Sequence, residues 1–525
     1  MSKKKGTSSQ KEPIADREEP YLETDNMENS QVSVLTHREK VFLSGLVSFI
    51  SLCSSLNTPI YWVAIPEIEK DFHITEEQAN LTITAYLVLQ AVSPMFICTL
   101  SDKWGRRPTI LYCVLGSMAS NIGLVFCPSY GIMIFLRCLL AAHAAPLIAI
   151  TSAVVGDFTT RSDRGGYVGF TFGCTLIGSG IAPFIGACLD QRWKWQGIFA
   201  FTAIINAIAL AIAFVLLPET SHAIVGNMSI LPRHWIHRSP IIYLRGRGRI
   251  RTKESRIGKK YGFNTQELVK TVKLLKDPLV IFALVPNSII YATWVMSQTT
   301  MTLSLTDSYH YEPIQVGLCF LAPGIACCTS AILCGKLLNY AYRKQQEGER
   351  IKNKGTKVRS SDGSVEPQSS ALNADPQNPH IVHQPNIIRA RLKYFQPSNL
   401  SVVVSTVLYG WTVNQHWNVA AIIVFAVLLT ISSMYPQTAT NTLLVDLHPE
   451  SSGTVTSLNN LFRCGLASVF VSCISKMNTS LTIGGTYSLM AGICVISSIC
   501  LPFVLRRSDS IIRERQTKKE DSESL

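Results

Sequence analysis

Long apolar segments alternate with short polar ones along most of the chain. The apolar segments run for roughly 18–25 residues, and a helix needs about 20 to cross the hydrocarbon core of a bilayer. Twelve such segments, numbered as spans 1 to 12, are 41–63, 79–100, 109–127, 130–155, 167–189, 196–217, 279–303, 314–336, 398–415, 418–444, 454–475 and 484–505. The pattern predicts an all-α polytopic membrane protein with twelve transmembrane helices.

Four polar regions interrupt this pattern: 1–40, 219–277, 345–390 and 506–525. The tail 1–40 and the loop 345–390 are poor in apolar residues, so we expect both to be disordered. The region 219–277 is a basic linker between two groups of six spans. We therefore predict an N-terminal six-helix bundle, 41–218, a C-terminal six-helix bundle, 278–505, and a short cytoplasmic tail, 506–525.

The short loops indicate an orientation, because Lys and Arg accumulate on the cytoplasmic side of membrane proteins. Loop 2–3 contains Lys103, Arg106 and Arg107, and loop 4–5 contains Arg161 and Arg164. By contrast, loop 1–2, "PEIEKDFHITEEQ", is mostly acidic. Loop 5–6 is also basic, which weakens the contrast without reversing it. We expect both termini and the basic linker to be cytoplasmic, with the plasma membrane as the location.

The composition agrees with a membrane protein and excludes other classes. Of 525 residues, 47% are hydrophobic and only 16% are charged, whereas about a quarter of the residues of soluble domains are charged. The net charge of +13 lies mainly beside apolar segments, so we do not expect nucleic-acid binding. The sequence shows no nucleophile–base arrangement, phosphate loop or metal-ligand spacing, so we expect neither an enzyme nor a bound cofactor.

Two short segments suggest that the halves are repeats. "TLSDKWGRRPTIL" closes span 2 and contains Asp102, Gly105, Arg106 and Arg107, while "GKLLNYAYRK" closes span 8. In the second segment Asn339 corresponds to Asp102, and Arg343 to Arg106. A second correspondence is between Asp157 after span 4 and Asp446 after span 10. Two six-span halves with corresponding loops are typical of transporters built from parallel repeats.

These motifs resemble the major facilitator superfamily, whose motif A is G-x-L-(A/S)-D-x-x-G-R-(K/R), with Cys98 here in the place of the first glycine. In span 5, "GSGIAPFIGA" is similar to the antiporter motif of twelve-span drug:H⁺ antiporters. Its matching residues are Gly178, Gly180, Pro183 and Gly186. The segments "LPET", "NTPIYWVAIPEI" and "NNLFRCGLASVF" look most like fungal quinidine-resistance and short-chain-acid-resistance members.

The resemblance implies a role for the motif A residues beyond topology. Arginines at a helix end fix the orientation of the chain, since they cross a bilayer at high cost. In the family interpretation, Asp102 also accepts charge-assisted hydrogen bonds and latches the two halves together in one conformation. The latch residues are Asp102, Gly105, Arg106, Arg107, Asn339 and Arg343. The small residues of span 5 would allow close packing between helices at a moving interface.

Charged residues inside apolar segments are costly and usually functional. The candidates for a proton or charge relay are Arg137 and His143 in span 4 and Asp157 at its cytoplasmic end. His143 is equally well explained as a structural histidine that bonds to a backbone carbonyl, which leaves Asp157 as the alternative proton site. The sequence places no Asp or Glu deep within a span.

Polar and aromatic side chains of several spans are candidates for a substrate cavity. They are Asn57, Tyr61, Gln90, Asn287, Trp294, Gln298, Asn441, Asn460 and Arg463. Because aromatic faces attract cations, we expect an amphipathic or cationic small molecule as the substrate.

The resulting expectation is a proton-coupled antiporter that exports such molecules by alternating access. It would act as a monomer in contact with membrane lipids and use the proton gradient as its energy source. Two alternatives stay open. One is a carrier for a single physiological compound, such as a polyamine, amino acid, weak acid or spore-wall precursor, and the other is a non-transporting membrane sensor.

Overall fold

The computed structural model describes residues 35–159, 164–228, 232, 234–239, 275, 277–359, 387–447 and 452–506. Every regular element in these ranges is a helix. The predicted tail up to residue 34, most of the basic linker, residues 360–386 of the loop and the tail from 507 lie outside the described residues.

The N-terminal half contains seven helices before the linker region. They are α1 His37–Leu56, α2 Pro59–Trp62, α3 Ile65–Phe72, α4 Glu76–Trp104, α5 Arg106–Val125, α6 Tyr130–Phe158 and α7 Arg164–Leu216. A single turn of helix, α8 His222–Val225, and a 3₁₀ helix, Trp235–His237, follow.

The C-terminal half repeats this arrangement with an additional short helix after the long loop. Its helices are α9 Pro278–Asp307, α10 Pro313–Arg359, α11 Ile387–Leu392, α12 Phe395–Asn414, α13 Val419–Leu447, α14 Ser452–Ser498 and α15 Cys500–Arg506.

Nine helices of the described residues are long and apolar enough to cross a membrane. Two of them contain a break: α7 at Trp193 and Lys194, and α14 at Thr482, where non-helical backbone angles redirect the chain. Each of these two helices therefore supplies two spans. With α12, the predicted ninth span, they complete the twelve, so the predicted fold class is confirmed.

Two regions differ from their predicted disorder. Helix α1 begins at His37, within the predicted tail 1–40. Helix α10 continues beyond the apolar part of span 8 to Arg359, and α11 begins at Ile387. Both lie partly within 345–390. The sequence after span 8, "YRKQQEGERIKNK", is dominated by Lys, Arg, Glu and Gln, and these residues are strong helix formers.

The two halves meet where α7 packs on α10 and where α4 packs on α14. Helices α7 and α10 cross at glycines, with no side chain between the two backbones there. A Cβ added to Gly180 would lie 2.8 Å from the carbonyl oxygen of Gly324, and one added to Gly324 would lie 2.1 Å from that of Gly180. Further along, a Cβ on Gly317 would lie 2.3 Å from the Cβ of Ala187. Only glycine permits backbones to approach so closely, and small residues are the usual contact points of helices in lipid.

We name the two ends of the bundle by their charges. The basic end is where α4 ends and α5 begins at Arg106, and the acidic end is the opposite one, where α3 lies. At the acidic end, Gln191 donates a hydrogen bond to Glu312 (3.1 Å), and Lys476 lies 3.8 Å from Glu77. Both contacts join the N-terminal half to the C-terminal half.

The α7–α10 crossing leads to a prediction for Gly324→Ala. The added methyl group must push the two helices apart, and overpacking of this kind costs about 1–3 kcal/mol. We expect a lower melting temperature for the purified protein in detergent. Gly335→Ala on the same helix is the matched control, since a Cβ there meets nothing within 4 Å. Equal melting temperatures for the two variants would contradict the close crossing.

Candidate functional site

At the basic end, the turn between α4 and α5 is built around a buried carboxylate. Glu219 is 3% exposed and accepts hydrogen bonds from the backbone N–H groups of Arg106 (2.8 Å) and Arg107 (3.3 Å). These are the first residues of α5, whose N–H groups have no partner within the helix and whose end carries partial positive charge. Gly105 has φ +98°, and a Cβ there would lie 2.3 Å from Oε2 of Glu219. The motif glycine therefore makes room for the carboxylate.

The side chain of Arg106 joins three helix ends. Its guanidinium lies 2.5 Å from Asp102 and 3.1 Å from Asp157, and it also donates to Ser101 (3.2 Å). Thr220 donates a further hydrogen bond to Asp157 (3.1 Å). The side chains of Arg106 and Asp157 are each 14% exposed, whereas that of Asp102 is 54% exposed. The stronger contact of Arg106 is therefore the one with Asp157, because it is more protected from water.

The neighbouring Arg107 is 1% exposed and bonds to main-chain carbonyls. It donates to the carbonyl oxygens of Ile236 (2.9 Å), Arg238 and Phe214. Glu219 also lies 2.9 Å from Nδ1 of His237. The contacts of Asp102, Arg106 and Arg107 described here all lie within the N-terminal half and the segment that follows it, so they do not join the two halves in this conformation.

Sequence comparison of the halves missed the corresponding contact in the C-terminal half. Arg391 on α11 lies 2.9 Å from Asp446 at the end of α13, as Arg106 does from Asp157. The predicted counterparts, Asn339 and Arg343, are exposed on α10. Their roles stay predictions. Arg391 follows the long polar loop and stands in no motif, so alignment of the repeats could not find it.

In the centre of the N-terminal half, Arg137 is fully buried between two aromatic rings. Its guanidinium carbon lies 3.8 Å from the ring centre of Tyr61 and 4.5 Å from that of Tyr86. Its Nε and Nη1 have no hydrogen-bond partner among the described residues. The π faces of the tyrosines therefore stabilise the charge. The hydroxyl of Tyr61 is held in place by Thr82, at 2.6 Å.

The C-terminal half has a similar pair. Arg463 lies 4.5 Å from the ring centre of Tyr291 and donates to the side-chain oxygen of Asn460 (3.1 Å). Asn460 in turn donates to the carbonyl oxygen of Gln90 (2.7 Å) on α4 of the other half. The structure thus brings together three residues predicted for the cavity, and they bridge the two halves.

Aromatic rings connect the halves next to this bridge. Trp294 stands edge-on to Trp62, with ring centres 6.0 Å apart, and lies 5.8 Å from Tyr291. Trp62 also lies 6.5 Å from Phe320. The indole N–H of Trp294 donates to Thr430 (3.2 Å). Aromatic rings therefore form this part of the contact between the halves, next to the guanidinium group of Arg463.

The remaining amides predicted for the cavity tie helices together inside each half. Asn57 accepts from Asn121 (3.4 Å), whose own oxygen accepts from Thr202 (3.0 Å). In the C-terminal half, Asn287 donates to Asn459 (3.1 Å), and Asn459 donates to Asn441 (3.4 Å). Gln298 is the exception: it is 3% exposed and donates to Ser297 (3.3 Å), its neighbour on the same helix.

His143 lies on a different face of α6 from Arg137. Its Nδ1 is 2.8 Å from the carbonyl oxygen of Leu139, and its ring lies 5.1 Å from that of Tyr112. A Cβ added to Gly116 on α5 would lie 2.2 Å from His143 Cδ2. The ring thus fills the space that a glycine leaves between α5 and α6.

The span 5 motif packs on two neighbours. A Cβ on Gly178 would lie 2.4 Å from Ser55 Oγ, and one on Gly186 would lie 2.6 Å from the carbonyl oxygen of Ile60. Gly180 faces α10 of the other half, as described above, and Pro183 is buried between these contacts. The motif therefore contacts the region of spans 1 and 8 simultaneously.

The acidic end carries carboxylates from both halves. Burial raises the pKa of Glu69, and the nearby carboxylates of Glu76 and Asp307 raise it further. Asp307 belongs to α9 of the C-terminal half, so ionisation of these groups places like charges on both sides of the contact. The sequence shows this cluster only as an acidic loop, because the partners lie more than 200 residues apart in the chain.

Comparison with known proteins agrees with this architecture. A family model described as Major Facilitator Superfamily matches residues 47–346. The multidrug transporter QDR2 of Candida glabrata is 33% identical over 98% of this chain and 88% of its own. The MFS antiporter QDR2 of Candida albicans is 31% identical over 93% of this chain and 92% of its own.

Among solved structures, the fold is similar to the partially occluded inward open conformation of the xylose transporter XylE from E. coli. The TM-score is 0.59, with 10% sequence identity, over 88% of this chain and 97% of that chain. The family match and the relatives together show that this chain belongs to the major facilitator superfamily and is a multi-pass membrane transporter of small molecules, not an enzyme.

Proposed function

We propose that this transporter exports amphipathic or cationic small molecules from the cytoplasm across a fungal plasma membrane, in exchange for protons. The observation that carries the proposal is the group of aromatic rings where the halves meet. The ring centre of Trp294 lies 6.0 Å from that of Trp62 and 5.8 Å from that of Tyr291. Relatives of nearly full coverage are named multidrug transporter and MFS antiporter. The proton gradient is the energy source, and the working unit is a monomer surrounded by lipid.

The two central arginines refine the choice of substrate. Guanidinium groups at Arg137 and Arg463 repel a permanent cation, although their stacking on tyrosines partly offsets this. Amphipathic molecules that are neutral when bound are therefore the first candidate. A carrier dedicated to one weak acid is the second candidate, and the same two arginines favour it, because a carboxylate would supply the missing hydrogen-bond acceptor.

The distribution of charge supports an orientation. Loops at the basic end contain the arginines of motif A, and such loops are cytoplasmic in most membrane proteins. Both termini then lie in the cytoplasm, and the acidic end faces outward. The contacts Gln191–Glu312 and Glu77–Lys476 hold the halves together at this outer end. We infer that the conformation described is the one closed to the outside.

The charged side chains at the basic end are arranged so that their ion pairs can be exchanged during transport. Arg106 holds both Asp102 and Asp157 within one half. When the cytoplasmic end closes, the exposed Asp102 is the group that can reach the other half, while Asp157 retains the arginine. Of the candidates for the proton relay, we favour Asp157 over His143, because Asp157 lies at the mouth of the proposed pathway and a proton competes with Arg106 for its carboxylate.

The test of this function uses the purified protein in sealed vesicles with an imposed pH gradient. The panel contains a lipophilic weak base, a permanent organic cation and a weak carboxylic acid. We expect gradient-dependent flux of the weak base, with weaker flux of the permanent cation. Flux of the acid alone would favour the dedicated carrier, and a gradient without effect on any of them would refute proton-coupled export.

Arg106→Ala is expected to abolish efflux while the protein still inserts into the membrane. Removal of one partner of a buried ion pair leaves the other charge uncompensated, which costs about 3–5 kcal/mol. Arg506→Ala, at the end of α15, is the matched control, because Arg506 is an exposed arginine to which no transport role is assigned. Efflux assays and membrane fractionation of both variants provide the measurement. Wild-type efflux by Arg106→Ala would be incompatible with a role for the cluster in transport.

His143→Ala is expected to lower the melting temperature but to leave the pH profile of efflux unchanged. The ring of His143 fills the space beside Gly116, so its removal opens a cavity between α5 and α6, and such cavities destabilise proteins. Efflux measured across a pH series, with the melting temperature of the same preparation, separates the two effects. A flattened pH profile at an unaltered melting temperature would instead identify His143 as a proton carrier.

A further inference from the structure

Helix α3, at the acidic end, is held on the turn between spans 5 and 6 by one tryptophan. Trp195 is 2% exposed. Its backbone N–H donates to Glu67 (3.1 Å), and its indole N–H donates to Asp71 (2.9 Å). Phe72 at the end of α3 packs on the same indole, with ring centres 5.6 Å apart. Two carboxylates and an aromatic ring of α3 therefore converge on Trp195.

A third carboxyl group lies beside this contact without a donor. Asp190 follows the end of predicted span 5 and is 3% exposed. Neither of its carboxyl oxygens has a hydrogen-bond donor among the described residues. The carboxyl group of Glu67 lies within hydrogen-bonding range of it. A bond between two carboxyl groups requires a proton, since two ionised carboxylates offer only acceptors.

The surrounding charges favour a protonated Asp190. Burial, followed by the neighbouring carboxylates of Glu67 and Asp71, raises the pKa of Asp190. Lys194 is the cation that the described residues place at this cluster, but it lies 4.0 Å from Asp71 and its side chain is 65% exposed. Because Glu67 already accepts the N–H of Trp195, the proton belongs on Asp190, whose O–H then donates to Glu67.

Helix α3 is also in contact with the other half of the transporter. It lies against α9, and its residue Glu69 faces Glu76 and Asp307. Helix α3 therefore takes part in the contact between the halves at the acidic end.

We propose that Asp190 and Glu67 together bind one proton, and that this shared proton keeps α3 packed on Trp195 and closes the acidic end of the transporter. Loss of the proton leaves two negative charges in buried contact, and their repulsion releases α3. Because the pKa of Asp190 is raised in the packed state, protonation stabilises that state. Low pH on this side therefore favours closure, and high pH favours opening. This inference rests on the proposed function for its role in exchange, where it supplies the step at which a proton from outside closes the outer end.

The direct test is infrared spectroscopy of the purified full-length protein at neutral pH. We expect a carbonyl band of a protonated carboxylic acid in the wild type that Asp190→Asn removes. Glu67→Gln is the second variant: its amide donates to an ionised Asp190, so the same band is lost while the contact survives. Asp71→Asn is the control and retains the band. Identical spectra for the wild type and Asp190→Asn would overturn the proposal.

The consequence for α3 is tested by hydrogen–deuterium exchange of the peptide that covers residues 65–72, corrected for the intrinsic effect of pH. Protection in the wild type should fall as pH rises through the titration of the infrared band. Asp190→Asn supplies an uncharged donor to Glu67, so its protection should not depend on pH. A pH-dependent loss of protection that persists in Asp190→Asn would refute control by this pair.

These readouts do not need transport, which separates this inference from the proposed function. If the infrared band and the protection respond as expected but vesicles show no proton-coupled flux, the proton pair stands and the exchange function fails. If the flux is proton-coupled but Asp190→Asn does not alter the band, the pair is refuted and the exchange function stands.

Discussion

A charge that is removed from water within a membrane protein needs a partner from the protein, because the hydrocarbon core of the bilayer offers none. This constraint accounts for the most unusual contacts of the structure. Arg137 lies between the rings of Tyr61 and Tyr86, and Arg106 bonds to the carboxylate of Asp157. Each of these contacts joins different helices, so the same interactions that make the charges tolerable also define how the helices pack within the N-terminal half.

The two halves are related as repeats, but they satisfy this constraint with different residues. Asp157 pairs with Arg106 from the turn after α4, whereas Asp446 pairs with Arg391 from a helix beyond the long loop. The geometry of the ion pair is retained although its position in the sequence is not. The ion-pair clusters of the two halves therefore differ in their residues and in their exposure to water.

The two ends of the bundle differ in how protons act on them. At the basic end a cation holds the carboxylates, so protons compete with Arg106 for the same groups. At the acidic end no donor among the described residues bonds to the carboxyl group of Asp190, so a proton takes the place of that donor. Between them, the helices α7 and α10 cross backbone to backbone at Gly180 and Gly324, and this crossing allows rotation with few side chains to rearrange.

The sequence by itself determined the number of spans, the two-half organisation and the location of the motif A and span 5 residues. These depend on the length of apolar runs and on spacing within one loop, which are local properties. Only the tertiary structure decided which face each helix presents. It placed Arg463 and Asn460 against Gln90, and the ring of His143 in the space beside Gly116. It also placed Asp190 beside Glu67, and Arg391 beside Asp446, over sequence separations that no spacing rule connects. Helix rotation follows from packing among many side chains, so these pairings could not be derived from any single segment.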